Sequence, residues 1–308
     1  MPLDPQAQAV LDTMAAANLP PYEQTSVEEA RARYNASQLG GAPEPVAKIE
    51  DRQIDGPEGP MRIRIYTPQG TGPFPALVYF HGGGWVFGNL ESHDAICRAL
   101  TNAANCIVVA VDYHLAPEYK FPVPAEDCYA ATQWVASNTV SFNGDGTCIA
   151  VGGDSAGGNL AAAVSQMARD RGSPNLVYQL LIYPVTDYMP DLPSYRENGE
   201  GYYLTRADMA WFWNHYLGNE AEGKNPYASP LQATNLNGLP PAMVITAGYD
   251  PLRDEGELYA SRLKEAGIPT TLIRYPGMIH GFVRMGSAID QARKAIDDMA
   301  KQLRLAFS

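Results

Sequence analysis

"IAVGGDSAGGNLAAAV", Ile149 to Val164, sets Ser155 between two pairs of glycines. The preceding "TCIAVG" (Thr147–Gly152) has the β-branched and apolar content of a short buried strand. The following "AGGNLAAAVSQMARD" has high helix propensity, and Leu160, Val164 and Met167 recur every three or four residues. A strand that becomes a helix within a few residues leaves no room for nearby Cβ atoms, and this favours glycine. Ser155 then stands on a sharp corner with its hydroxyl projecting outward. That is the physical content of G-x-S-x-G, read here as Gly153-Asp154-Ser155-Ala156-Gly157. Five matching positions alone also fit an ordinary Gly/Ser turn. The strand–corner–helix context separates the two, and an outward serine calls for partners elsewhere.

Outward from this corner the chain alternates strand-like and helix-like runs from about residue 46. "AKIEDRQI" and "MRIRIYTP" alternate apolar and polar residues around "DGPEG", the pattern of an exposed hairpin. "PALVYF", "CIVVAVD", "TCIAVG", "VYQLLIYP", "PAMVITAG" and "TTLIRY" are short apolar runs. Helical stretches at 92–105, 123–138, 156–170 and 254–266 separate most of them. The alternation predicts a mostly parallel, doubly wound α/β sheet of about eight strands, covered on both faces. Residues 46–308 form this expected catalytic domain.

Two regions interrupt the pattern. Residues 1–45 read as two helices broken by Pro20-Pro21, the second opening on a capping box from Ser26 to Glu29. Residues 186–235 intervene between two strands and hold the aromatic stretch "GYYLTRADMAWFWNHYL", with Thr205 and Asp208 marking a helix start. An aromatic stretch is more often core than ligand pocket. These pieces also suit a lid over the carboxyl edge of the sheet, where α/β folds bind ligands.

A serine hydroxyl attacks poorly near neutral pH unless a base removes its proton. Of five histidines, His280 in "YPGMIHGF" follows the last strand-like run and opens at the edge that exposes the corner serine. His93 and His215 lie on helices and read as structural, and His81 heads a glycine run. The imidazole needs an acid, and "DPLRDEG" offers Asp250, Asp254 and Glu255. Asp250 directly follows a strand and is preferred, whereas Asp254 and Glu255 open a helix, where acids are favoured for structural reasons. The order Ser155, Asp250, His280 is that expected of an α/β-hydrolase. "FHGGGWVFG" supplies consecutive glycines after a strand. The amides of Gly83, Gly84 and Ala156 could hold the negative oxygen of a tetrahedral intermediate. A histidine base further implies that turnover falls as acid protonates the imidazole.

The 308 residues and 45% hydrophobic content suit one large domain with an accessory part. A net charge of −12 argues against sequence-independent nucleic-acid binding, which needs a positive surface. Cys97, Cys106, Cys128 and Cys148 form no C-x-x-C pair and suit small buried hydrophobes better than a disulfide framework. "MPLDPQAQAV" lacks the regions of a signal peptide, and no run of some 18 apolar residues predicts a membrane span. A cytoplasmic location without membrane attachment is expected.

"HGGGW" at 81–85, "DYHLAPE" at 112–118, "GDSAGG" at 153–158, "DPLRDEG" at 250–256 and "HGF" at 280–282 together resemble the hormone-sensitive-lipase family of α/β-hydrolases, its bacterial carboxylesterases in particular. The resemblance implies Ser155 as nucleophile, Asp250 and His280 as its partners, and Gly83, Gly84 and Ala156 as oxyanion donors. It implies that residues 1–45 and 186–235 form a cap, with a pocket to which Trp85, Met209 and Trp213 contribute. It also implies ester hydrolysis without metal or cofactor, by a monomer or homodimer, and the bulk of Trp213, with Trp85 near the mouth, suggests a pocket for short to medium acyl chains. An amidase, deacetylase or lactonase would use the same triad, and a ligand-binding receptor on this scaffold would lack the histidine that is present here. His114 departs from the family's arginine, a residue expected to pair with acids such as Glu118. The role of Asp154 stays open between positioning and support.

Overall fold

The computed structural model describes residues 1–36 and 40–308. Eight strands form one sheet: β1 (Lys48–Gly56), β2 (Gly59–Thr67), β3 (Phe74–Phe80), β4 (Ile107–Asp112), β5 (Gly144–Asp154), β6 (Tyr178–Ile182), β7 (Ala242–Tyr249) and β8 (Thr270–Ile279). Their spatial order is β1-β2-β4-β3-β5-β6-β7-β8. β1 and β2 form the expected hairpin, β2 also pairs antiparallel with β4, and every other pairing is parallel.

The strands read as unbroken apolar runs because both faces are covered. Along β3, Ala76, Val78 and Phe80 enter one core while Leu77 and Tyr79 enter the other. The first core receives α4 (Val123–Asn138), α5 (Ala156–Arg171) and α8 (Arg253–Glu265), and the second receives α3 (Asp94–Ala104) and α9 (Asp290–Ala306). Helix α9 has no counterpart in the sequence reading. Yet Ala292, Ala295, Ile296, Met299, Ala300 and Leu303 line its buried face at helical spacing.

Strand β8 also runs past "TTLIRY" as far as Ile279, so His280 leaves the strand directly and not from a separate loop. The N-terminal segment carries α1 (Pro5–Ala17) and α2 (Val27–Ala36); the 186–235 segment carries α6 (Pro193–Glu197) and α7 (Arg206–Tyr216). Both capping boxes form. The Glu29 amide donates to Ser26 Oγ and the Ser26 amide to the Glu29 carboxylate, each at 3.2 Å. The Thr205–Asp208 pair closes in the same way at 3.0 Å.

Candidate active site

Strand β5 ends at Asp154 and α5 begins at Ala156, so Ser155 alone makes the corner, with φ of +57°. A non-glycine residue there stores about 1–3 kcal/mol of strain. The corner is fixed by its neighbours: the Ser155 amide donates to the Ile182 carbonyl at 2.9 Å, and the Asn159 amide donates back to Ser155 at 3.0 Å. Glycine is obligatory at 157, because a Cβ would lie 1.9 Å from the carbonyl oxygen of Phe80 in the adjoining β3.

The chain brings the three expected side chains together from the ends of β5, β7 and β8. Ser155 Oγ lies 2.9 Å from His280 Nε2, and His280 Nδ1 lies 2.7 Å from Asp250 Oδ2. Asp250 is fully buried, and its other oxygen accepts the Leu252 amide at 2.8 Å. A buried carboxylate on Nδ1 fixes the tautomer with hydrogen on Nδ1 and leaves Nε2 to accept the serine proton. The rival acids are occupied elsewhere. Asp254 accepts the Ser194 amide and pairs with Arg253, and Glu255 accepts the Thr186 and Asp187 amides.

Gly83 and Gly84 follow β3 with φ of +120° and +59°. At Gly84 a Cβ would meet the Phe212 ring at 2.1 Å. Among the described residues neither amide has a protein acceptor, nor has that of Ala156 at the first position of α5. All three are therefore free to bind a ligand oxygen.

The loop is held from behind. Tyr113 Oη donates to the His81 carbonyl at 2.8 Å, and His81 Nδ1 reaches the Gly82 carbonyl at 2.9 Å. Burial pulls His81 down to about 4, so its ring is neutral. Asp154 accepts the Gly82 amide at 3.0 Å and the Tyr79 hydroxyl at 2.8 Å, with His93 Nε2 at 3.2 Å. Burial opposes its ionisation. The neighbouring His93, the Arg284 charge and the Tyr79 hydrogen bond prevail and hold its carboxyl well below the usual range. Asp154, directly before the corner serine, thus anchors the glycine loop to the end of β5. His93 belongs to this support, and His215 packs on Trp211 at 4.2 Å, so both are structural.

A cavity of about 980 Å³ opens over Ser155, His280, Gly83 and Gly84. Its walls come from both interrupting segments, with Tyr22, Tyr34, Phe87, Tyr203, Phe212 and Arg284 among them. Trp85, Met209 and Trp213 are not part of this wall, which corrects the expected pocket set. Met209 and Trp213 share a face of α7 as expected, but that face enters the core. Asp208 and Phe212, one position round the helix, face the cavity. Trp85 is fully buried and stacks flat on Tyr216 at 4.2 Å.

His114, where the family carries arginine, pairs with a different acid from the one expected of that arginine. Its Nδ1 lies 2.7 Å from Asp127, while Glu118 takes the guanidinium of Arg31. Among the described residues no cluster of His, Cys, Asp and Glu is placed to hold a metal, and no helix is long and apolar enough to cross a membrane.

The sequence profile of the alpha/beta hydrolase fold matches residues 77–284. The chain is 43% identical to the esterase LipI of Mycobacterium tuberculosis over 85% of its own length and 83% of the relative. It is 41% identical to the carboxylesterase NlhH of the same organism, covering 95% and 92% of the two chains. The crystal structure of a hyperthermophilic esterase from Pyrobaculum calidifontis superposes with a TM-score of 0.95 at 44% identity, over 100% of both chains. With its strand order, its corner serine and these relatives, the chain belongs to the alpha/beta hydrolases, in the hormone-sensitive-lipase-like branch that its motifs resemble.

Proposed function

We propose that the protein is a serine carboxylesterase in which Ser155, His280 and Asp250 hydrolyse carboxylic esters through an acyl-enzyme. The observation that carries the reading is the relay of 2.9 and 2.7 Å from Ser155 through His280 to Asp250, set beside three unengaged amides. Ser155 Oγ attacks the ester carbonyl carbon while its proton passes to His280 Nε2. The carbonyl oxygen becomes an oxyanion held by the amides of Gly83, Gly84 and Ala156, each such donor being worth about 2.7–4 kcal/mol in the transition state. Asp250 stabilises the imidazolium without taking its proton. His280 then protonates the leaving alcohol, the C–O bond breaks, and the acyl group stays on Ser155. Water attacks by the same route and releases the acid. Residues 1–45 and 186–235 act as the cap that closes over this chemistry.

Short- to medium-chain acyl groups are the proposed substrates, because Phe212 lies against Gly84 and Phe87 lies 5.2 Å from Phe212 beside the reacting centre. A cytoplasmic location fits four unpaired cysteines. The decisive test compares wild type with Ser155→Ala on p-nitrophenyl butyrate and with a fluorophosphonate probe. The variant should lose both turnover and labelling. Hydrolysis that survives in Ser155→Ala rules the mechanism out.

A further inference from the structure

We propose that helix α2, besides lining the cavity, positions the catalytic loops through Arg31 and Tyr34; the inference rests on the esterase reading above. Arg31 and Tyr34 are three residues apart and share one face of the helix. Arg31 Nε donates to the Val86 carbonyl at 2.8 Å, and its Nη2 donates to the Ala116 carbonyl at 2.8 Å. Val86 belongs to the glycine loop itself, since the Val86 and Phe87 amides donate to the Gly83 carbonyl at 3.1 and 2.8 Å. Ala116 is tied to the same loop through its amide, which donates to the Trp85 carbonyl at 2.9 Å. A single guanidinium thus bridges the outer side of the oxyanion loop and the loop beside it. Its far edge also pairs with the exposed Glu118, whose carboxylate accepts at 2.7 and 2.6 Å without touching the loop contacts of Arg31.

The second pin acts on the histidine. Arg284 ends the short turn Phe282–Arg284 that follows His280 and Gly281. It donates to the Tyr34 hydroxyl, lies 4.6 Å from the centre of the Tyr34 ring, and donates to the Ser92 carbonyl at 3.3 Å. Ser92 in turn neighbours His93, which supports Gly82 together with Asp154. From one side of the cavity, α2 therefore holds both the loop that receives the oxyanion and the turn that carries the base. If α2 moves away, these loops lose their outer supports, so alignment of the catalytic groups is coupled to closure over the substrate.

Arg31→Met, Arg31→Lys, Tyr34→Phe and Glu118→Gln test this, with kcat and KM on p-nitrophenyl butyrate, the inhibition constant of a trifluoromethyl ketone and the thermal midpoint as readouts. The ketone adds to the serine and places an anionic oxygen where the oxyanion forms, so its affinity reports loop alignment. Arg31→Met should lower kcat roughly tenfold or more and weaken the ketone by the same factor, with KM held within about twofold. Arg31→Lys, which keeps one donor for Val86, should recover part of the loss, and Tyr34→Phe should lower kcat and ketone affinity together. Glu118→Gln leaves the Val86 bond in place and should keep kcat within about twofold.

The proposal is overturned if Arg31→Met changes only the thermal midpoint, or if Glu118→Gln loses as much kcat as Arg31→Met. Should Arg31→Met fail to fold, Arg31→Lys and Tyr34→Phe decide the matter by the same readouts. An inert Ser155→Ala beside a fully active Arg31→Met overturns this proposal alone. An active Ser155→Ala overturns the esterase mechanism beneath it.

Discussion

Glu255 takes no part in the proposed chemistry, yet it is fully buried and holds the stem of the 186–235 segment by accepting the amides of Thr186 and Asp187. Burial raises its carboxyl from 4.5 to about 8, against the opposing pull of those hydrogen bonds. The folded protein keeps a proton that the unfolded chain releases above 4.5. The stabilisation is therefore complete at low pH and is lost as the pH rises toward 8, at up to about 1.4 kcal/mol per pH unit. Glu255→Gln keeps an oxygen for both amides and cannot ionise. Urea midpoints measured from pH 5 to 8.5 should fall less steeply for this variant than for wild type, and parallel curves would refute the assignment. The same neighbourhood shows why Asp250 could be chosen from sequence: it directly follows a strand, whereas Asp254 and Glu255 begin a helix. The function of Asp154 was not legible, because its partners Tyr79, Gly82 and His93 are 61 to 75 positions away along the chain.

At the scale of elements, the corner works because β3, β5 and α5 are pressed together without side chains between them. Gly157→Ala would push a methyl group into the Phe80 backbone, which cannot move aside without parting β3 from α5. We expect a loss of about 3 kcal/mol in urea unfolding and of most esterase activity. Gly172→Ala is the control. It sits in open space at φ of +74°, so only backbone strain of about 1 kcal/mol is expected. Equal stabilities for the two variants would contradict this account. The parallel strands were legible as elements because burial on both faces leaves an unbroken apolar signature. The hairpin was legible for the opposite reason, its alternation. Helix α9 carries an equally readable spacing of Ala, Ile, Met and Leu. On α7, period alone showed which residues share a face but not which face meets the cavity. Met209 and Trp213 were therefore assigned to the wall in place of Asp208 and Phe212.

Across the whole molecule, the cavity is assembled from segments that sequence keeps far apart: α1 and α2, the glycine loop, the 199–212 stretch and the turn after His280. No local pattern announces such a wall, so Tyr22, Tyr34, Tyr203 and Arg284 are not legible in the sequence, whereas the proposed catalytic residues Ser155, Asp250 and His280 each follow a strand and are legible. The aromatic rings beside Gly84 set the expected selectivity. On a series of p-nitrophenyl esters, kcat/KM should peak at short or medium acyl chains and decline toward palmitate, and a maximum at palmitate would refute the proposed narrowing. Phe212→Ala should move the optimum toward longer chains.

The left-handed backbone of Ser155 has a further bearing on how such a protein changes over generations. The residue proposed to react is also one the chain carries under strain, and a glycine would sit there with less. Drift toward a sturdier fold would thus find an easy first step in discarding the nucleophile, and only continued demand for turnover keeps the hydroxyl in place.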